Sequence, residues 1–256
     1  MILVTGASSG IGQSCAELLT RRGHRVYGAS RTSELRMDVR DEASVNAAIQ
    51  SILEREQRLD AVINNAGFGI AGAVEDTSIA EAMEQFEVNF FGVLRVCRAA
   101  LPAMRAQRQG TIINIGSIGG LIAIPYQGLY SATKFALEGL TEALRLEVRD
   151  FGIHVVLIEP GDHRTGFTQN RRSTGASGAG SAYGKTFAHA VERMAADEQA
   201  GPSPDRVAAL VARVVESRRP RLRYTVGPAP QRAAVWLKRL LPYAVMEAIM
   251  RQNYLR

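Results

Sequence analysis

Residues 2–12 read Ile2-Leu3-Val4-Thr5-Gly6-Ala7-Ser8-Ser9-Gly10-Ile11-Gly12. A short apolar run ends in three spaced glycines. The residues that follow, Gln13 to Arg22, put Cys15, Leu18 and Leu19 at helical spacing. Strand, glycine loop and helix form a unit that lets backbone N–H groups and a helix N-terminus approach a pyrophosphate. The spacing is G-x-x-x-G-x-G, and a tight turn without a ligand is the competing reading.

Outward from this unit, strands and helices alternate. His24–Ala29 is the expected second strand and Leu35–Val39 the third. Too few residues separate them for a crossover helix, which leaves the adenine side of a bound dinucleotide relatively open. A helix capped by Asp41 runs to about Glu56, followed by a strand over Asp60–Asn65 and a long helix over Ser78–Arg105. Then come a strand over Gly110–Ser117, a helix over Tyr126–Asp150 and a strand over Gly152–Glu159. Helices over Tyr183–Ala200 and Pro204–Ser217, the second capped by Ser203, precede an edge strand over Leu222–Val226. This alternation predicts one α/β domain over residues 1–256, a doubly wound parallel sheet of about seven strands.

At the end of the second strand stand Ala29, Ser30 and Arg31, where an NAD-preferring fold places a carboxylate for the ribose 2′-hydroxyl. Arg31 instead suits a 2′-phosphate through charge-assisted hydrogen bonds, so NADP(H) is expected over NAD(H). Farther on, Tyr130 and Lys134 are four apart on one helix face, thirteen residues beyond Ser117. An ammonium beside a phenol favours the phenolate, and a serine hydroxyl can hold a substrate oxygen. Together they suit proton transfer at an alcohol or carbonyl. Asn89 lies mid-helix, where propensity disfavours it.

Composition narrows the class. The chain is 46% hydrophobic and 22% charged, ordinary for a globular protein. Cys15 and Cys97 lie in helical segments and suggest neither a disulfide framework nor a metal site, so a cytoplasmic compartment is expected. No apolar run reaches the roughly 18 residues that span a bilayer. The net charge is +6, yet residues 218–256 hold nine Lys/Arg and one acidic residue. The basicity belongs to the C-terminal tail and does not point to nucleic acid.

With these motifs in order, the chain resembles the short-chain dehydrogenase/reductase family, strongly over residues 1–165. The shared motifs are TGASSGIG (Thr5–Gly12), NNAG (Asn64–Gly67), Asn89, Ser117, YSATK (Tyr130–Lys134) and PGDHRT (Pro160–Thr165). The resemblance implies a Rossmann-type fold with helices on both faces and a homodimer or homotetramer built on the helices 78–105 and 126–150. It implies that Tyr130 is the proton donor or acceptor and that Ser117 orients the substrate oxygen. Lys134 would hold the nicotinamide ribose and lower the Tyr130 pKa, and Asn89 would fix a relay water. Gly6, Ser8, Ser9, Gly10, Ile11 and Gly12 would hold the pyrophosphate. Asp38 and Val39 would line the adenine, with Asn65, Ala66, Gly67, Pro160, Gly161 and Thr165 along the rest of the cofactor. YSATKFALEGLTEALRLEV is most similar to the branch around 17-beta-hydroxysteroid and retinol dehydrogenases. The near-absent connection between strands two and three departs from the family pattern.

Phe68, Ile70, Leu121, Ile122, Ile124 and Tyr126 are expected to face the substrate. They predict a lipophilic ketone or secondary alcohol. Residues 162–200, rich in Gly and Ser at first, read as a substrate lid or as a surface loop. The helical extension 228–256 either packs on the subunit or a neighbour, or lies as a basic amphipathic helix on a membrane surface. Two other functions are weighed: 3-oxoacyl thioester reduction, which shares every catalytic motif, and an NADP(H)-sensing protein without turnover, whose expected signature would be loss of Tyr130 or Lys134, both present here.

Overall fold

The computed structural model describes residues 1–255. The chain opens with β1 (Ile2–Thr5), α1 (Gly10–Arg21), β2 (Val26–Ser30), β3 (Leu35–Arg36), α2 (Glu42–Glu56) and β4 (Ala61–Asn64). Then come β5 (Ile70–Ala71), α3 (Ile79–Phe86), α4 (Gly92–Gln107), β6 (Gly110–Ile115), α5 (Gly128–Glu147) and β7 (Ile153–Pro160). The last part holds α6 (Phe167–Asn170), β8 (Arg172–Ser173), α7 (Gly184–Ala200), α8 (Asp205–Val215), β9 (Arg223–Val226), α9 (Ala229–Leu240) and α10 (Tyr243–Tyr254).

Seven strands make one parallel sheet in the order β3-β2-β1-β4-β6-β7-β9. Strand side chains alternate, and each face therefore receives every second residue. Ile2, Val4, Ile63, Ile113 and Ile115 pack under Cys15 and Leu19 of α1 and Leu210 and Val211 of α8. Leu3, Val62 and Ile112 face the other way, onto Ile49 of α2, Val96 and Met104 of α4 and Leu137 of α5. Both faces are covered, which is why the central strands read as continuous apolar runs. One polar ladder crosses this core. Asn64 stands opposite Asn114 in register and donates to its Oδ1 at 2.9 Å, and Asn114 Nδ2 donates to Thr141 Oγ1 of α5 at 2.9 Å.

Several expected boundaries shift. The single helix 78–105 is α3 and α4 joined by a π-helical turn, Glu87–Phe91, which carries Asn89. Tyr126 holds φ +60°, a left-handed conformation that cannot extend a helix, so α5 starts at Gly128 rather than Tyr126. Pro204 is the residue before α8, and the Ser203 hydroxyl accepts the Asp205 N–H at 3.3 Å. Residues 162–184 are not a bare loop. α6 and β8 occupy their centre, and β8 pairs in parallel with β5, Ile70 against Arg172. Ser181 donates to Asp76 at 2.6 Å and Tyr183 to Glu75 at 2.7 Å, tying the segment to residues ahead of α3.

The basic tail is two surfaces. Arg218, Arg219 and Arg221 precede β9, whereas α9 and α10 follow it. Because β9 runs parallel to β7, it separates them by its own length. No helix among the described residues is long and apolar enough to cross a membrane.

Candidate active site

The strand order reverses between β1 and β4, and the crevice above their C-terminal ends is where such sheets take ligands. The glycine loop and the Asn65–Gly67 loop flank it and are stitched together. Thr5 Oγ1 accepts the N–H groups of Asn65 and Ala66 at 3.0 and 3.1 Å. Asn65 Nδ2 returns to the carbonyls of Thr5 and Gly6 at 3.0 and 3.1 Å. Gly6 is left-handed, φ +64°, and a Cβ on Gly12 would lie 2.3 Å from the Gly6 carbonyl. Ser9, the N-cap of α1, makes no side-chain capping bond, and no acidic residue sits in the first turn. The N–H groups there are left for a ligand.

Ser117, two residues past β6 at φ −170°, caps a 3₁₀ turn, Ile118–Gly120, its Oγ accepting the Gly119 N–H at 3.0 Å. A Cβ built on Gly119 would lie 3.3 Å from Ser117 Oγ and 3.4 Å from Tyr130 Cε1, so the turn holds the two side chains on either side of it. Tyr130 and Lys134 follow on the buried face of α5. The Lys134 ammonium lies 5.7 Å from the Tyr130 ring centre and donates to the Ile115 carbonyl at 2.8 Å. Burial pushes the Tyr130 phenol up to about 12, with the Ser117 hydroxyl pulling the other way. Burial also lowers Lys134 to about 8. In the chain by itself, burial outweighs the lowering of Tyr130 that the sequence led us to expect.

A lysine depressed on folding costs stability below its folded pKa, and that cost fades as pH climbs to the unfolded value. With the lysine lowered from 10.5 to about 8, Lys134→Met should stabilise the cofactor-free protein by about 2 kcal/mol at pH 7, after allowing for the lost Ile115 bond. Urea unfolding should show the gap closing between pH 8 and pH 10.5. A gap unchanged by pH would mean that the ammonium is not desolvated.

Asn89 is 1% exposed and does not line the crevice. Its Oδ1 accepts the Phe68 N–H at 3.1 Å, and its Nδ2 donates to the Phe68 carbonyl at 3.0 Å and to Thr133 Oγ1 at 3.3 Å. It clamps the loop after β4 to the helix that bears Tyr130 and Lys134. Gln85, unremarked in the sequence, holds the same loop through the Ile70 N–H and the Phe68 carbonyl, each at 2.7 Å.

One cavity of about 1210 Å³ runs through the site. At one end lie Ser30, Arg31, Asp38 and Val39, with Ser8, Ser9, Gly10 and Ile11 beside them. Arg40 is there too, missed in the sequence because its role depends on geometry. It pairs with Asp38 at 2.6 Å and holds that carboxyl below its usual range. Ala66, Gly67, Pro160, Gly161 and Thr165 follow along the middle, where Ser117, Tyr130 and Lys134 also border the space. Gly12 does not border it; its place is against the Gly6 carbonyl.

Of the residues expected to face substrate, Phe68, Ile122 and Ile124 do. Ile70 is taken up by pairing with β8, Leu121 packs on Val235 and Met246, and Tyr126 meets Thr186 and the Phe187 ring. Their places are filled by Phe167, 5.6 Å from the Tyr130 ring centre, and by the C-terminal helices. Ala234, Met246, Met250 and Tyr254 form a wall of the cavity. Gln231 fastens that wall: its Oε1 accepts the Asp162 N–H at 2.8 Å, and its Nε2 donates to the Asp162 carboxylate. Burial raises Asp162 to about 6. The neighbouring His163 is buried, its Nδ1 2.9 Å from the Gly161 carbonyl, and it too borders the cavity.

Fold and site together place the chain among the nicotinamide-dependent oxidoreductases. More narrowly, it belongs to the short-chain dehydrogenase/reductase family, whose model, described as short chain dehydrogenase, matches residues 29–176. A 3-ketodihydrosphingosine reductase of Bacteroides thetaiotaomicron is 43% identical over 262 residues, covering 99% of this chain and 97% of that protein. The solved structure of a short-chain dehydrogenase from Streptomyces avermitilis superposes with a TM-score of 0.81 at 30% identity, covering 98% of this chain and 96% of that one. An alcohol dehydrogenase from the archaeon Thermococcus sibiricus, complexed with 5-hydroxy-NADP, has a TM-score of 0.72 at 25% identity, covering 89% of this chain and 96% of that one.

Proposed function

We propose that the protein interconverts a lipophilic ketone and its alcohol with NADP(H) as the hydride carrier. The observation that carries this reading is the cavity, which continues past Ser117 and Tyr130 to the apolar wall of Ile122, Met246 and Met250. A long-chain substrate fits such a wall, and the similarity to a 3-ketodihydrosphingosine reductase supports that class.

The chain's residues divide the work. The uncapped start of α1 and the backbone of Ser8 to Ile11 suit the pyrophosphate. Lys134 has three ammonium protons and gives one to Ile115, leaving two for ribose hydroxyls. When bound, the nicotinamide supplies or accepts the hydride. Tyr130 gives its phenolic proton to the substrate oxygen in reduction and takes it back in oxidation, while Ser117 holds that oxygen in place. Asn89 positions the loop and helix around them. Phe167 and the segment 162–200 cover the substrate as a lid. Exposed Phe135 and Leu146 of α5 support assembly of copies through that helix.

The test is cofactor absorbance with NADPH or NADH and a panel of ketones: a ketosteroid, retinal, a long-chain ketone and a 3-oxoacyl thioester. NADPH should be oxidised by a lipophilic member, and Arg31→Ala should shift the NADPH-to-NADH ratio of kcat/KM toward NADH by about tenfold or more. Turnover confined to small charged carbonyls would refute the substrate class. An unchanged ratio would remove Arg31 from cofactor choice.

A further inference from the structure

The C-terminal helices α9 and α10 have an apolar inner side that is used and further apolar residues that face solvent. Val235 and Met246 are buried against Ile118, Leu121 and Ile122, while Ala234 and Met250 face the cavity. The other side of α9 carries Ala233, Trp236, Leu237 and Leu240, all exposed and spaced as one helical stripe. α10 adds Tyr243 and Val245, and the turn between the helices is the most prominent point, with Leu240 and Tyr243 each 77% exposed.

The charges around this stripe are mostly basic. Arg232 stands one turn before Trp236 on the same row, and the Arg239 guanidinium lies 5.5 Å from the Trp236 ring centre. Arg251 is exposed on α10. None of these three arginines has an ion-pair partner among the described residues. Glu247, the one acidic residue of α9 and α10, lies on the α10 row of Tyr243 and Arg251, one turn from each. An outward apolar stripe with a tryptophan and a tyrosine and a basic border is complementary to an anionic lipid surface: rings and leucines enter the interface and guanidiniums meet the headgroups.

We infer that helices α9 and α10 dock on an anionic bilayer surface, with the junction at Leu240–Tyr243 entering first. The cavity wall and the docking face are then two sides of the same pair of helices. A lipophilic substrate passes from the bilayer to Tyr130 along that pair and avoids a path through water. This last step rests on the substrate class proposed above; the docking does not.

The experiment is sedimentation of the full chain with vesicles of phosphatidylcholine alone or mixed with phosphatidylglycerol, without cofactor or substrate. Binding to the mixed vesicles should exceed binding to neutral ones by about tenfold or more and should weaken as salt is raised. The double variant Trp236→Glu, Leu240→Glu should lose it while keeping the parent's thermal unfolding, since both side chains point to solvent. Absence of vesicle binding, or equal binding by the variant, overturns the inference. So does a parent dimer that the same substitutions turn into a monomer, which would assign the face to a second copy of the chain. Because no turnover is read, a failed ketone panel and a failed docking are separate results.

Discussion

Tyr130→Phe is expected to give a folded protein that binds NADPH as the parent does and turns over its ketone about 10²- to 10⁴-fold more slowly. The substitution removes one oxygen. The ring remains on the buried face of α5, packed against Phe167, so positioning should survive. What is lost is the one phenolic proton beside Ser117 that the site offers to a carbonyl oxygen. The loss should therefore fall on kcat, with little change in the KM of either ligand. Stopped-flow measurement of the first turnover, with NADPH binding followed by its fluorescence, separates the two. A residual rate within tenfold of the parent would mean that the proton comes from elsewhere. The buried His163 that borders the same cavity would be the next group to test.

Gly12→Ala should abolish tight cofactor binding, weakening NADPH by about a hundredfold and the fold by about 1–3 kcal/mol. The new methyl would lie 2.3 Å from the Gly6 carbonyl and 2.4 Å from Asn65 Nδ2. Neither neighbour is free to move. Gly6 is held left-handed at the loop's first turn, and Asn65 is bonded to two carbonyls. The loop must therefore open, and the N–H groups over α1 lose their aim. Calorimetric titration with NADPH, alongside thermal unfolding of the cofactor-free protein, measures both effects. Parent-like affinity would show that the loop's closure against Asn65 is not what binds the cofactor.

The strands, the crevice and the residues gathered there were legible because each rests on local pattern. Continuous apolar runs mark strands covered on both sides, and three glycines in a strand–helix junction mark close backbone approach. What escaped depends on single-residue or long-range geometry. The π-turn is one extra residue in a helical pattern, and Asn89 betrayed it only by being a poor helix former. The pairing of Ile70 with Arg172 involves two-residue strands, too short for any periodicity. The Arg40–Asp38 pair reads in the sequence as two ordinary charges. For the tail, helical spacing correctly implied an apolar face, but spacing cannot tell a face that walls a cavity from one that meets solvent. α9 has both.

The amide ladder through the core also acts as a proofreader of alignment. If β6 slipped by one residue against β4, Asn114 would turn to the opposite side of the sheet, away from Thr141. Asn114 would then sit unpaired in an apolar interior, and Asn64 would keep only its contact with Cys97 Sγ at 3.5 Å, at a cost of about 1–3 kcal/mol for each lost partner. Ser117 lies three residues beyond Asn114, just past the end of the same strand, and the slip would carry its hydroxyl roughly 3.3 Å along the strand axis. Thr141 stands on the helix that presents Tyr130 and Lys134. The bonds that reject a misaligned sheet are therefore the ones that set serine and tyrosine at a common height, so a chain that folds out of step pays in stability before it can offer a faulty site.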